Sequence, residues 1–221
     1  MSDTLHRARL IPLLCGICLF VQLITSPNFR LPLPLGTEDV FISDWLLRAF
    51  PLQAVALQAK EIWRIFSYVL LHGSWWHLGF NLFGLWITGV TLERLLGWRK
   101  MPLLLLCGAA AGALGFLASL LLDPRLSPQL TCIGASALLT TCLGVATTLA
   151  PKETLTLWLI VFPLRIKALY LAPLLFLIFC AEACFPNLGT AYGAHLGGWL
   201  IGMLIGFILH PSSSSPKGNT P

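Results

Sequence analysis

"HGSWWHLGFNLFGLW", residues 72–86, is an apolar run that carries two histidines and an asparagine. Apolar runs of about 17–25 residues can span a bilayer as helices. Ionisable or amide side chains inside such runs are costly enough to mark function by default. His77 and Asn81 are four residues apart and share one helix face, whereas His72 precedes His77 by five and sits near the outer end of the run. Two questions follow: whether the rest of the chain is a membrane bundle, and whether other spans bring polar groups to meet these.

Composition answers the first. The 221 residues are 57% hydrophobic and 10% charged, against about 25% charged in a soluble domain. Mean hydropathy is +0.82. The fold class expected is all-α, a polytopic membrane helix bundle, because helices satisfy their own backbone in lipid. The short alternating segments of a closed barrel are not seen. The net charge of +5 is read as loop Lys and Arg on the cytoplasmic side, and nothing resembles a nucleic-acid module. The seven cysteines lie in or beside apolar runs and read as small hydrophobes, Cys15 and Cys18 included. Neither a disulfide framework nor a metal site is inferred from them.

Six spans are expected, at about 10–26, 70–91, 101–122, 133–149, 168–184 and 190–209. They form one membrane domain over 1–210, followed by a disordered polar tail, "PSSSSPKGNTP", over 211–221. The first span also resembles a signal peptide but lacks a convincing cleavage site, so it is read as an uncleaved anchor. The segment 150–167 is read as a cytoplasmic loop, since extending span 5 through it would bury Pro163, Arg165 and Lys167. The long outer loop, 27–69, is expected to hold short helices partly in the interface. With the N-terminus inside, nine of the fourteen basic residues fall on inner segments. Both termini are therefore expected to be cytoplasmic, in a bacterial-type inner (plasma) membrane.

Spans 4 and 6 answer the second question. "GASALLTT", 134–141, offers Ser136, and "AYGAHLGGWLIGMLIG", 191–206, offers His195, each about one turn in. Spans 2, 4 and 6 all run from outside to inside, so His77, Asn81, Ser136 and His195 lie at similar depth and can converge. A serine needs a general base to act as a nucleophile, and His195 can serve. His77, Asn81 and the Ser136 N–H can stabilise an oxyanion. No Asp or Glu lies in spans 4 or 6 to orient His195, which points to a Ser–His dyad. Gly198, Gly202 and Gly206 form a smooth stripe that would let span 6 approach span 4 closely. Gly108, Gly112 and Gly115 read as packing only.

The set resembles the rhomboid family of intramembrane serine proteases, from about Trp63 to about Gly206. Trp63–Arg64 is similar to the family's loop signature before span 2. His72, His77 and Asn81 match its His-x4-His-x3-Asn pattern. "GVTLERLLG" matches Gly-x3-Glu-x3-Gly with Glu93 at its centre, Gly134-Ala-Ser136 matches the start of Gly-x-Ser-Gly, and "AHLGGWLIG" matches Ala-His-x2-Gly-x3-Gly. Two positions depart. Ala137 follows the serine where the family usually has Gly. Thr140 stands where the family often has an aromatic against the histidine, so His195 is either less firmly positioned or held by another residue. Glu93 is expected to be structural, holding the inner loop through backbone N–H groups, Arg94 or Arg99.

The resemblance implies an intramembrane serine endopeptidase that needs no cofactor. Its substrates would be single-pass transmembrane proteins in the lipid bilayer, cut near the outer end of the span. A polar cavity open to the outside would admit water to Ser136. One rival is a catalytically inactive rhomboid-like protein that binds or escorts membrane proteins. Another is a small-molecule transporter, whose internal repeats are not seen here.

Overall fold

The computed structural model describes residues 7–29, 31–33, 40–159, 162–185 and 191–210. Six longer helices form the body: α1 (Leu10–Thr25), α5 (Trp75–Leu96), α6 (Met101–Leu122), α7 (Ser136–Leu149), α8 (Leu171–Cys184) and α9 (Tyr192–Leu209). Among the described residues, α6 and α9 are long and apolar enough on their own to cross a membrane. Helix α5 is as long as α6 but carries His77, Asn81, Glu93 and Arg94. The expected tail, 211–221, and the start of span 6 lie outside the described residues.

The exterior is greasy. Leu103, Leu114, Leu121, Leu122, Phe207 and Ile208 on α6 and α9 are all well exposed. A soluble monomer rarely shows apolar surface of this extent, whereas lipid wets it at no cost. Polar groups are turned inward instead, and Glu93, Asn81, Thr88, Thr140 and Thr141 are buried.

Helix limits follow from local signals. Helix α5 starts at Trp75, five residues later than the sequence pattern places span 2, because the backbone is extended at Leu71 and Ser74. The Ser74 hydroxyl then accepts the His77 N–H at 3.1 Å and caps the helix. At the other end Gly97 takes φ 83°, a left-handed backbone that stops the helix. Pro102 at the head of α6 needs no N–H there.

The described residues of 27–69 include three short helices, α2 (Ile42–Ala49), α3 (Ala54–Gln58) and α4 (Arg64–Ser67), with a two-residue ladder between β1 (Pro32–Leu33) and β2 (Val40–Phe41). The segment 150–167 departs from its reading as a plain loop. It is an antiparallel hairpin, β3 (Thr154–Leu159) paired with β4 (Phe162–Lys167). The alternation in "TLTLWL" suits a strand, and Pro163 forbids a continuous helix.

The bundle is built around α9. Two glycine faces let neighbouring backbones touch it. Gly193 and Gly197 meet Gly115 and Ala111 of α6, and Gly198, Gly202 and Gly206 meet Ala137, Thr141 and Val145 of α7. Gly144 returns the contact from α7, where a Cβ would sit 2.8 Å from the Met203 nitrogen. The α6 glycines are packing positions, as read: Gly108 lies on Thr141, and Gly112 on Tyr68 and Ala137.

Glu93 is fully buried and accepts three backbone N–H groups, from Arg9 (2.7 Å), Leu10 (2.7 Å) and Ile11 (2.9 Å). The donors are backbone groups, and they belong to α1. The carboxylate caps the start of α1, not the inner loop, where the helix dipole and the orphan N–H groups favour an anion. Ile11 packs beside it against Gly89.

Candidate active site

Ser136 is the first residue of α7, not a residue one turn inside it. The preceding segment sets this start. Gly134 has φ 120°, a conformation open to glycine and strained for other residues. A side chain there would also lie 2.7 Å from His77 Cε1 and Nε2 and 3.5 Å from Asn81 Nδ2. The glycine therefore leaves a small space, roofed by those two side chains, two residues before Ser136.

Three anchors fix this segment. Cys132 exchanges backbone hydrogen bonds with Leu52 of the outer loop, at 2.9 and 3.0 Å. The Gly134 N–H donates to the Tyr68 carbonyl at 3.0 Å, and the Tyr68 hydroxyl donates to the Ala109 carbonyl of α6 at 3.0 Å. The Ala135 N–H donates to His72 Nε2 at 3.3 Å. His72 is thus a brace for the serine turn and is buried. His72 and His77 meet edge to face, with centroids 5.0 Å apart.

The Ser136 hydroxyl lies 2.9 Å from His195 Nε2. Both residues are half-buried near the N-terminal ends of their helices. The N-terminal ends of α5, α7 and α9 therefore lie together. As the opening residue of α7, Ser136 has a backbone N–H with no acceptor within the helix. His77 Nδ1 receives the Gly73 N–H at 3.4 Å, which leaves Nε2 as the donor over Gly134. Asn81 is buried, and its Nδ2 has no hydrogen-bond partner among the described residues. Serine Oγ, an imidazole within reach of it and a group of unspent donors beside it are what acyl transfer requires.

The expectation that no carboxylate orients His195 is overturned. Glu182 of α8 places Oε2 2.8 Å from His195 Nδ1. It lies on a third helix, which bears neither the serine nor the histidine. A lone Glu in the apolar run "LLFLIFCAEAC" was the available signal. Thr140 spends its hydroxyl on the Ala137 carbonyl at 3.1 Å. It faces Gly198 in the α7–α9 seam, and the ring near His195 is Phe179 of α8, at 6.2 Å between centroids.

Trp63 and Arg64 stay with the outer loop. Trp63 Nε1 donates to the Ala49 carbonyl at 2.9 Å, and Arg64 pairs with Glu61 and donates to the Pro51 carbonyl at 2.7 Å. They line a cavity with Asp44, Trp45, Arg48 and Ala49, and neither Ser136 nor His195 contributes to it. Gly198 and Gly202 set the distance between α7 and α9 below the Ser–His pair.

At the end of the bundle that holds the Ser–His pair, Asp123 follows α6 and pairs with Arg125 at 2.7–2.8 Å, and it accepts the Tyr192 hydroxyl of α9 at 3.1 Å. Arg125 also donates to the Ala183 carbonyl of α8 at 2.8 Å. The guanidinium holds the Asp123 carboxyl well below the usual carboxylate range.

Comparison with known proteins gives a common result. The family model for the Rhomboid domain matches residues 59–212. RHOMBOID-like protein 1 of Arabidopsis thaliana is 30% identical over 155 residues, 70% of this chain and 36% of that protein. The mitochondrial Rhomboid protein 1 of Saccharomyces cerevisiae is 34% identical over 139 residues, 62% of this chain and 39% of that protein. Rhomboid protease GlpG of Pectobacterium atrosepticum is 38% identical over 93 residues, 42% of this chain and 31% of that protein. The chain thus spans less than half the length of each of these relatives. The matched region carries the serine turn and the histidine helix, and with well over half of its residues inside that match the chain belongs to the rhomboid family.

Proposed function

We propose that this membrane protein is an intramembrane serine endopeptidase, with Ser136 as nucleophile and His195 as general base and acid. The observation that carries the reading is the 2.9 Å contact between Ser136 Oγ and His195 Nε2 at the head of α7. His195 takes the hydroxyl proton as Oγ attacks a peptide carbonyl, then returns it to the leaving amine. The developing oxyanion is held by the Ser136 N–H, His77 Nε2–H and Asn81 Nδ2–H. Water then releases the acyl-enzyme by the same route in reverse. The reading uses no cofactor.

Substrates are single-pass transmembrane proteins cut near the outer face of the bilayer. A helix hides its carbonyls, so the segment must unwind locally before attack. Six membrane-crossing helices are assigned to α1 and α5–α9, with both chain ends on the cytoplasmic side of a bacterial-type plasma membrane. The basic residues of the inner segments support that orientation.

The test is cleavage of a model single-pass substrate by the purified protein and by Ser136→Ala and His195→Ala. Each variant should insert, keep the wild-type melting temperature and lose cleavage. The double variant should be no worse than either, since residues that act as a unit lose their effect together. Substantial cleavage by Ser136→Ala overturns the assignment and leaves a protein that binds membrane partners without cutting them.

A further inference from the structure

Glu182 is an anomaly in its surroundings. It sits in the last turn of α8, an otherwise apolar helix in which it is the only ionisable group besides Cys180 and Cys184. A carboxylate is disfavoured at a helix C-terminus, where the dipole is negative. It is also disfavoured in an apolar setting unless a partner offsets its desolvation. The partner is His195: the Oε2–Nδ1 distance is 2.8 Å, and both side chains are about five-sixths buried, at 17% and 16% exposure. Phe179, one turn earlier on the same face of α8, lies against the same imidazole and against Trp199.

We infer that Glu182 is a positioning residue for His195, so that the nucleophile works in a Ser136–His195–Glu182 triad. The inference rests on the proposed protease reading and adds to it. A neutral imidazole carries its proton on one nitrogen. With Glu182 as acceptor, that proton sits on Nδ1, and the Nε2 lone pair faces the Ser136 hydroxyl. This is the tautomer a general base needs. When His195 takes the serine proton, it becomes a cation between Oγ and a carboxylate. The negative charge of Glu182 then stabilises a charge that exists only while the reaction runs. The balance is one proton moved from Ser136 Oγ to His195 Nε2.

The structure also fixes where Glu182 stands. The Arg125 guanidinium, itself paired with Asp123, donates to the carbonyl of Ala183, the residue after Glu182. Asp123 in turn accepts the hydroxyl of Tyr192, three residues before His195. One ionic frame therefore ties the end of α8 and the start of α9 to the same point. Phe179 packs against the imidazole from α8, on the side where Thr140 of α7 offers no ring. The histidine is held by α8, a helix that bears neither Ser136 nor His195 itself.

The experiment compares wild type, Glu182→Ala and Glu182→Gln in detergent, with Ser136→Ala as the blank. The readouts are kcat, KM, melting temperature and the nitrogen-15 spectrum of the imidazoles. Glu182→Ala should lower kcat by about 10²-fold, the low end of what positioned acid–base groups contribute, with KM and melting temperature near wild type. Glu182→Gln keeps an acceptor oxygen without the charge and should recover part of that loss. The five-histidine spectrum reads the tautomer without any turnover. One imidazole, identified by its absence in His195→Ala, should be Nδ1-protonated in wild type and change in Glu182→Ala. Unchanged kcat in Glu182→Ala overturns the inference, as does a kcat loss that only tracks the melting temperature. A His195 signal protonated on Nε2 in wild type also overturns it. A wild type that fails to cleave, with the tautomer as expected, counts against the protease reading and not against the Glu182–His195 pairing.

Discussion

Gly202 offers the sharpest test of how α7 and α9 are held. It is buried, seven residues after His195, which is nearly two helical turns and therefore the same face. A Cβ built there would lie 2.9 Å from the carbonyl carbon of Thr141 and 3.0 Å from its Cα, and it would collide with the Thr141 oxygen. Carbon atoms pack comfortably at about 3.5–4.0 Å. The obstacle is backbone, so no rotamer change relieves it, and Gly144 on the far side leaves no other slack because it is itself pressed on Trp199 and Met203. The helices must part by on the order of 1 Å, and overpacking of this kind costs about 1–3 kcal/mol. The same displacement opens the 2.9 Å Ser136–His195 contact beyond hydrogen-bond reach, and a misplacement of about 1 Å can cost roughly 10²-fold in rate. On sequence grounds Gly202→Ala looks mild, since it adds one methyl group. The contact with a rigid carbonyl makes it severe, with Gly202→Val worse. Gly79 supplies the control, because nothing lies within 4 Å of a Cβ built there. The assay is turnover of a transmembrane substrate, with melting temperature measured on the same samples. Wild-type turnover and melting temperature in Gly202→Val would refute the packing described for α7 and α9.

Three further outcomes are expected. His77→Ala and Asn81→Ala should each lower kcat by about 10²–10³, with little change in KM, as measured by initial rates over a substrate series; full turnover in the double variant would make both residues structural. Glu93→Ala strands the N–H groups of Arg9, Leu10 and Ile11, each worth about 1–3 kcal/mol if left unsatisfied, so the melting temperature should fall clearly while the residual folded protein keeps its kcat. The Asp123 carboxyl is depressed by Arg125, so its contribution to stability is complete above the ordinary value near pH 4 and is lost as pH falls below it; Asp123→Asn should lower the melting temperature at neutral pH and flatten its decline in acid.

What could be read in the sequence was whatever a single helix reveals. Span 3 is bounded by Lys100 and Asp123, and its expected limits coincide with α6. Hydropathy cannot show where an apolar backbone turns. Ile133–Ala135 look like the start of a span, yet the positive φ of Gly134 delays the helix to Ser136. His72 looks like part of α5, yet it is a loop residue that braces Ala135. Ser136, His195, His77 and Asn81 were legible because polar side chains in apolar helices are conspicuous and alternate spans share a direction. Glu182 was equally conspicuous, but its partner lies on another helix, and no spacing along the chain links position 182 to position 195. The partner of Glu93 was hidden for the same reason. Backbone donors leave no mark in a sequence.

The cap that Glu93 places on α1 bears on where this protein can be cut. The region matched by the family begins at residue 59, so α1 lies wholly before it. Physically the boundary is elsewhere. A fragment starting at residue 59 would leave the Glu93 carboxylate without its three backbone donors and expose the groove on Gly89 that Ile11 now fills. Helix α1 is therefore a wall of the bundle, packed on α5 at Gly89 and Glu93. Supplied as a separate peptide, it has a ready-made socket to return to: an anion for its amino end and a bare strip of α5 for its side chains.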